Sequence, residues 1–136
     1  MTDCIFCKIA KGEIPSSKIY EDDDFLAFLD IAPANKGHCL IIPKEHYETY
    51  TDLPEEILIK LAKVAQKVAK SIVDTTSANG FNIFMNNKPS AGQIVPHAHF
   101  HIVPRFQGDG INFDWPKQKY EEREMAELAT KISQNL

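Results

Sequence analysis

A chain of 136 residues, 43% apolar and with a formal charge of −4, fits one compact domain with a core of its own. The acidic balance, pI about 5.7, offers no basic footprint for a nucleic-acid partner, and no apolar run reaches membrane-spanning length. Three cysteines do not make a disulfide framework, and Met1-Thr2-Asp3-Cys4 carries no basic-then-apolar leader, so a reducing, cytoplasmic setting is the expectation.

Residues 4–10 read as a short turn or helix bearing Cys4-x-x-Cys7. Three readings stand for the pair. A redox couple would want a preceding strand, and only three residues precede Cys4. Two small buried thiols are the plain alternative. Half of a zinc site is the third, and His46 and His97 are candidate nitrogens to complete it: two thiolates and two neutral imidazoles balance Zn²⁺ and close a tetrahedron.

Ile14-Pro15-Ser16-Ser17 is a loop. Lys18–Glu21 and Phe25–Asp30 are strand-like, joined by the solvated tip Asp22-Asp23-Asp24. Asp30 follows a buried-looking run and reads locally as a strand-end turn residue. After the turn 34–37, His38–Pro43 is a mostly apolar strand that His38 opens and in which Cys39 is an inert core thiol. Asp52-Leu53-Pro54-Glu55 reads as a helix start capped by Asp52. Ile57, Leu58, Leu61, Val64, Ala65, Val68, Ala69 and Ile72 then recur at helical spacing, with Lys60, Lys63, Lys67 and Lys70 on the solvated side. Asn79-Gly80 turns into a strand over Phe81–Asn87, and 88–92 is a loop. Beyond Arg105 a Gly-rich linker leads past Phe113 and Trp115 to an amphipathic helix over Gln118–Ser133. These elements predict an α+β domain: an antiparallel sheet of about five strands, one long helix and a C-terminal helical tail.

The chemistry concentrates in Gly92-Gln93-Ile94-Val95-Pro96-His97-Ala98-His99-Phe100-His101-Ile102-Val103-Pro104-Arg105. On a strand, alternate residues share a face, so His97, His99 and His101 form a row with backbones about 6.5–7 Å apart. Ala98, Phe100 and Ile102 point to the core, and Pro104 ends the run. A three-histidine metal site is disfavoured because in-line neighbours splay. A neutral imidazole acting as nucleophile is the alternative.

His-x-His-x-His followed by two apolar residues and preceded by Gly-Gln resembles the signature of the histidine-triad (HIT) superfamily of nucleotide hydrolases and transferases, in its Hint-like and bacterial or archaeal branch. Cys4–Ile9, Phe28–Ile31 and His38–Lys44 extend the resemblance over most of the chain. It implies one HIT domain over residues 1–136, with a core at about 4–105 and a tail at 106–136. It also implies a structural zinc on Cys4, Cys7, His46 and His97, with no metal in the catalytic step. The substrate it implies is a purine nucleotide: Ile5, Phe6, Ile9 and Ile31 clamp the base and Asp30 accepts from the ribose hydroxyls. Asn86 and the backbone of Gly92 and Gln93 meet the phosphates. His99 attacks the α-phosphorus to form a nucleotidyl-histidine, His101 supplies the proton to the leaving group, and His38 supports it. The family assembles as two-fold homodimers, and neither a nucleic acid nor a membrane is an expected partner.

Phosphoramidates, aminoacyl adenylates and dinucleoside polyphosphates all satisfy this scheme. Two departures from the family pattern stand out. Ile94 occupies a position where many Hint-like chains place a small hydroxyl residue, and the Trp115 segment differs in spacing from the usual Trp-containing tail. A zinc-stabilised nucleotide-binding or scaffold protein with negligible turnover is the alternative function, and a metallohydrolase using the triad as ligands is a third.

Overall fold

The computed structural model describes residues 3–136; the expectation that no leader begins at Met1 and Thr2 falls on residues outside the described ones. Five strands, β1 (Lys18–Glu21), β2 (Phe25–Leu29), β3 (Cys39–Pro43), β4 (Gly80–Phe84) and β5 (Phe100–Arg105), form one antiparallel sheet in the order β1-β2-β3-β5-β4. Three α-helices join them: α1 (Ile5–Ala10), α2 (Glu55–Thr76) and α3 (Glu124–Gln134). The expected α+β architecture is the one observed.

β2 and β3 are apolar throughout because both sheet faces are covered. Phe25, Ala27, Cys39, Ile41 and Ile102 pack on one face against Leu61, Val64, Ala65, Val68, Ala69 and Ile72 of α2. Leu26, Phe28, Leu40 and Ile42 pack on the other against Phe6, Cys7 and Ile9 of α1. Strand alternation thus sends odd positions of β2 and β3 to α2 and even positions to α1. Each aliphatic side chain so buried contributes about 1.5–3 kcal/mol of transfer free energy.

Three local readings are corrected. α2 does not begin at Asp52: Leu53, preceding a proline, is held extended (φ −71°, ψ 130°), and Pro54 stands at the helix N-cap. Asp52 instead accepts from the backbone N–H and the hydroxyl of Thr49, closing the 3-10 turn Tyr50–Asp52. The fourth strand ends at Phe84 rather than Asn87, where its pairing with His101 ends. The helix of the tail starts at Glu124 rather than Gln118, after Arg123 in a left-handed conformation (φ 67°), and buries none of its residues.

The histidine row keeps its expected face but not one continuous strand. β5 begins only at Phe100, so His97 and His99 precede it. The His97 N–H donates to the Val95 carbonyl at 2.8 Å, a tight turn about Pro96, yet the expected faces hold: Ala98, Phe100 and Ile102 join the core against α2, while His97 and His99 both lie against Phe6 of α1. Pro104, in turn, does not end the strand. β3 pairs with β5 only as far as Ile102, so the missing N–H of Pro104 falls beyond the end of β3, and its carbonyl accepts from Asn35 Nδ2 at 2.9 Å.

Asp109 ties this end of the sheet together. Its carboxylate accepts from Nε and Nη2 of Arg105, from the N–H groups of Phe106 and Ile111, and from Asn35 Nδ2. The Arg105 guanidinium, followed by these N–H donors, holds the Asp109 carboxyl well below the usual carboxylate range. A depressed folded pKa contributes stability above the unfolded value, about 4, that is lost as pH falls below it. Asp109→Asn should therefore lower the melting temperature at pH 7, and the gap to the unsubstituted chain should narrow steadily below pH 4 in a calorimetric series. A gap independent of pH would rule out the carboxylate as its source.

Candidate active site and metal-ligand cluster

At the N-cap of α1, Cys4 sits one turn from Cys7, whose N–H donates to Cys4 Sγ at 3.4 Å. His97 Nδ1 lies 3.3 Å from Cys4 Sγ and 3.5 Å from Cys7 Sγ, and His46 Nδ1 lies 3.3 Å from Cys7 Sγ. The four side chains expected to gather do so, as a group that could hold a metal ion. With Zn–S about 2.3 Å and Zn–N about 2.0–2.1 Å, a tetrahedral ion would set S···N separations of about 3.5 Å. The residues therefore fit a zinc ion closely. His97 Nε2–H donates to the Pro43 carbonyl at 2.8 Å, which leaves the Nδ1 lone pair toward the thiols. Burial pushes the His97 imidazole down to about 4, so it is neutral. Burial and then Cys4 raise the Cys7 thiol, a cost that a bound cation would offset.

Beside this cluster opens a cavity of about 610 Å³. One wall is apolar: Ile5, Phe6 and Ile9 of α1, Ile14 and Pro15 of the following loop, and Phe28 and Leu40 of the sheet. Asp30 and Ile31 stand at the end of β2, and Asn86, Gly92, Ile94, His99 and His101 close the far side. The structure thus brings together nine expected residues: Ile5, Phe6, Ile9, Asp30, Ile31, Asn86, Gly92, His99 and His101. Gly92 is left-handed (φ +90°), and a Cβ there would lie 3.6 Å from Asn86 Nδ2. Gln93 is absent from the cavity wall, and its backbone N–H, expected at the phosphates, donates to the Lys88 carbonyl at 3.2 Å. Its side chain accepts from the Lys88 N–H and donates to the Glu48 carbonyl, clamping the loop that precedes Gly92. His38 also stands behind the cavity wall, in contact with His101.

Backbone groups assign the proton on each imidazole. The Ala34 N–H donates to His38 Nδ1 at 3.0 Å, so the hydrogen of neutral His38 is on Nε2. That Nε2–H donates to His101 Nδ1 at 2.9 Å, which leaves the hydrogen of His101 on Nε2. His99 Nδ1–H donates to the His97 carbonyl at 2.7 Å, which leaves the Nε2 lone pair of His99 free. Burial lowers His99 and pushes His101 down to about 4, the latter helped by His99 and His38. Burial also lowers His38, against the pull of Asp30 at 3.7 Å. Asp30, His38 and His101 also lie within reach of one ion. A zinc ion on both nitrogens would hold them about 3.3 Å apart, so their closer approach is that of a hydrogen-bonded pair.

Sequence reasoning missed several contributors. Ile14, Pro15 and Ser16 carried no signal beyond that of a loop. Phe28 and Leu40 were legible from strand parity, since both share a face with Leu26 and Ile42. Phe84 lies flat on His101, 4.6 Å between centroids at 9°, because it is directly opposite in the β4–β5 register. Phe113 of the tail packs edge-on against Phe84 at 6.0 Å.

A buried row of hydrogen-bonded histidines at the mouth of an apolar cavity, beside a two-cysteine, two-histidine cluster, defines a histidine-triad site. The HIT domain family matches residues 11–108, and the chain belongs to that family. It is 40% identical over 134 residues to the adenosine 5'-monophosphoramidase hnt1 of Schizosaccharomyces pombe, covering 98% of each chain. A solved structure from Streptococcus mutans UA159 superposes with a TM-score of 0.93 at 44% identity, covering 99% of this chain and 86% of that one. A Zn-bound histidine triad family protein from Mycobacterium smegmatis superposes with a TM-score of 0.77 at 36% identity, covering 99% of each.

The hydrogen-bond pattern fixes three tautomers that long-range ¹H–¹⁵N correlation spectra read directly. At pH 7, His99 should carry its proton on Nδ1, and His97 and His101 on Nε2. An Nε2–H His99 would contradict the assignment.

Proposed function

We propose that the chain hydrolyses purine nucleotide conjugates at the α-phosphorus through a covalent nucleotidyl-His99 intermediate. The observation that carries this reading is the His99 imidazole itself, neutral, with Nδ1 committed to the His97 carbonyl and the Nε2 lone pair unengaged beside Asp30 and His101. The base lies against Ile5, Phe6 and Ile9, and the two ribose hydroxyls donate to Asp30. Asn86 and the backbone about Gly92 meet the phosphoryl oxygens. His99 Nε2 attacks phosphorus, the bond to the leaving group breaks, and water then displaces the imidazole.

His101 offers its Nε2–H to the departing atom. In its neutral state it works as a hydrogen-bond donor, and the proton that completes the leaving group is drawn from solvent. His38 holds the His101 ring and tautomer, and Phe84 holds the ring plane. The relative named adenosine 5'-monophosphoramidase supports this reading.

Zinc on Cys4, Cys7, His46 and His97 belongs to the same proposal as a structural ion, supported by the donor set and the zinc-bound neighbour. When bound it supplies a cross-link and no open position. The functional unit is a single HIT domain with its core at about 4–105 and a tail at 106–136. It pairs as a homodimer through the open edge of β4, where Phe81 and Ile83 are exposed beside a hollow lined by Ala62, Ala65, Ala69 and Val73 of α2. Neither a nucleic acid nor a membrane is a partner in this scheme.

His99→Ala should cut turnover of an adenosine phosphoramidate by roughly a thousandfold or more while changing AMP affinity by less than about tenfold. Near-native turnover would sink the covalent route. Cys4→Ala and His97→Ala should lose zinc and melting temperature together, whereas His99→Ala and His101→Ala should keep about one zinc per chain. Elemental analysis of the four variants, with loss of zinc from His99→Ala, would move the ion to the catalytic face.

A further inference from the structure

We propose that the Arg105–Asp109 pair is a positioning element for His101: it sets the His38–His101 hydrogen bond through Asn35 and the aromatic stack on the His101 ring through Phe113. The inference rests on the reading of His101 as hydrogen-bond donor to the leaving group, and adds what aims that donor.

An imidazole on a strand keeps two freedoms, a flip that exchanges Nδ1 with Nε2 and a tilt of its plane. The His38 Nε2–H, donating to His101 Nδ1 at 2.9 Å, opposes the flip, since a flipped ring would turn its own N–H against that donor. Phe84, stacked on the ring at 4.6 Å and 9°, opposes the tilt.

Neither support stands alone. His38 presents its Nε2–H only while the Ala34 N–H occupies Nδ1, at 3.0 Å. Ala34 belongs to the loop between β2 and β3, and the next residue anchors that loop. The Asn35 carbonyl accepts from the His38 N–H at 3.0 Å, and Asn35 Nδ2 donates at 2.9 Å to the Pro104 carbonyl and to Asp109 Oδ2. Phe84 is braced in turn by Phe113, edge-on at 6.0 Å. Phe113 lies under the Arg105 guanidinium, 5.3 Å from its ring centroid. Arg105 Nη2 donates to the Ile111 carbonyl at 2.7 Å and the Ile111 N–H donates to Asp109 Oδ1 at 3.1 Å, which fixes the chain two residues before Phe113.

Both routes therefore start at one carboxylate, which accepts from Arg105 Nε at 2.8 Å and from Nη2 at 3.0 Å. They reach His101 from different directions, one at the Nδ1 edge of the ring and the other at its face. Orientation is worth much at this point: a misplacement of about 1 Å at a reacting group costs about a hundredfold in rate.

The test uses three variants and a control. Asp109→Asn sets an amide N–H against N–H donors and breaks both routes. Asn35→Ala cuts the first route, Phe113→Ala cuts the second, and Phe113→Tyr is the conservative control. All are measured at pH 7, well below their melting temperatures. In long-range ¹H–¹⁵N spectra of the free chains, the His101 Nδ1 signal should move downfield in Asp109→Asn and Asn35→Ala, as the bond from His38 weakens. The carbon-bound ring protons of His101 should move downfield in Asp109→Asn and Phe113→Ala, as the shielding face of Phe84 loosens. For an adenosine phosphoramidate, kcat should fall about tenfold in Asp109→Asn and about threefold in each single-route variant, with KM within about twofold. Phe113→Tyr should match the unsubstituted chain. Unchanged His101 signals in Asp109→Asn, or a loss of kcat/KM carried by KM, overturns the proposal: the pair then only secures the end of the sheet. Should Asp109→Asn fail to fold, the two single-route variants, which keep the ion pair, decide on the same readouts. If the unsubstituted chain cleaves no phosphoramidate, the hydrolase reading fails, and the His101 signals still decide the positioning.

Discussion

His97 is held from three directions, and the rest of the site depends on it. Its Nε2–H is bound by the Pro43 carbonyl, its Nδ1 faces the thiols of Cys4 and Cys7, and its own carbonyl accepts from His99 Nδ1. Through these contacts one residue joins the end of β3, the N-terminal helix and the imidazole of His99. The last bond matters chemically, because a histidine whose Nδ1–H is committed to a carbonyl can present only Nε2 as a lone pair. The tight turn at Pro96 is what allows it. A regular strand would have spent the His97 carbonyl on a neighbouring strand rather than on the ring of His99.

Burial supplies the second half of the design. Water is excluded from the triad by α1 on one side and the sheet on the other, and exclusion keeps the imidazoles neutral. Neutrality makes a nitrogen both a ligand and a nucleophile. The same α1 therefore carries the cysteines of the metal-ligand cluster and, through Ile5, Phe6 and Ile9, the apolar wall of the cavity. Phe6 shows the coupling in a single side chain: its ring lies edge-on to Phe28, His97 and His99.

The tail is coupled to the site more lightly. Asp109 locks the chain to Arg105 and Asn35 after β5, and Phe113 reaches Phe84, which lies on His101. Beyond that, Trp115, Met125, Leu128 and Ile132 lie on the surface of the chain. In the dimer proposed above such apolar surface would be a natural point of contact, since large exposed apolar side chains in one segment commonly mark association.

Much was legible in the sequence because its signals are local. Apolar runs in β2 and β3, helical spacing in α2 and the Gly-Gln-x-x-x-His-x-His-x-His pattern depend on neighbours along the chain; the first two pointed to strands and the long helix, and the family resemblance that the third carries pointed to most of the cavity residues. Cys4-x-x-Cys7 is likewise a one-turn spacing that a helix converts into two adjacent thiols. The failures lie where a particular partner, near or distant in sequence, overrules the simple pattern. Pro104 stays in its strand because β3 stops short of it. The Gln93 N–H, expected at the phosphates, donates to the Lys88 carbonyl instead. The His97 ring, by contrast, keeps its face, held by a carbonyl 54 residues earlier that accepts from its Nε2–H. The sequence, through its family resemblance, named the candidate site residues; only the tertiary structure decided which nitrogen of each histidine is free, because that depends on backbone carbonyls and N–H groups brought there by folding.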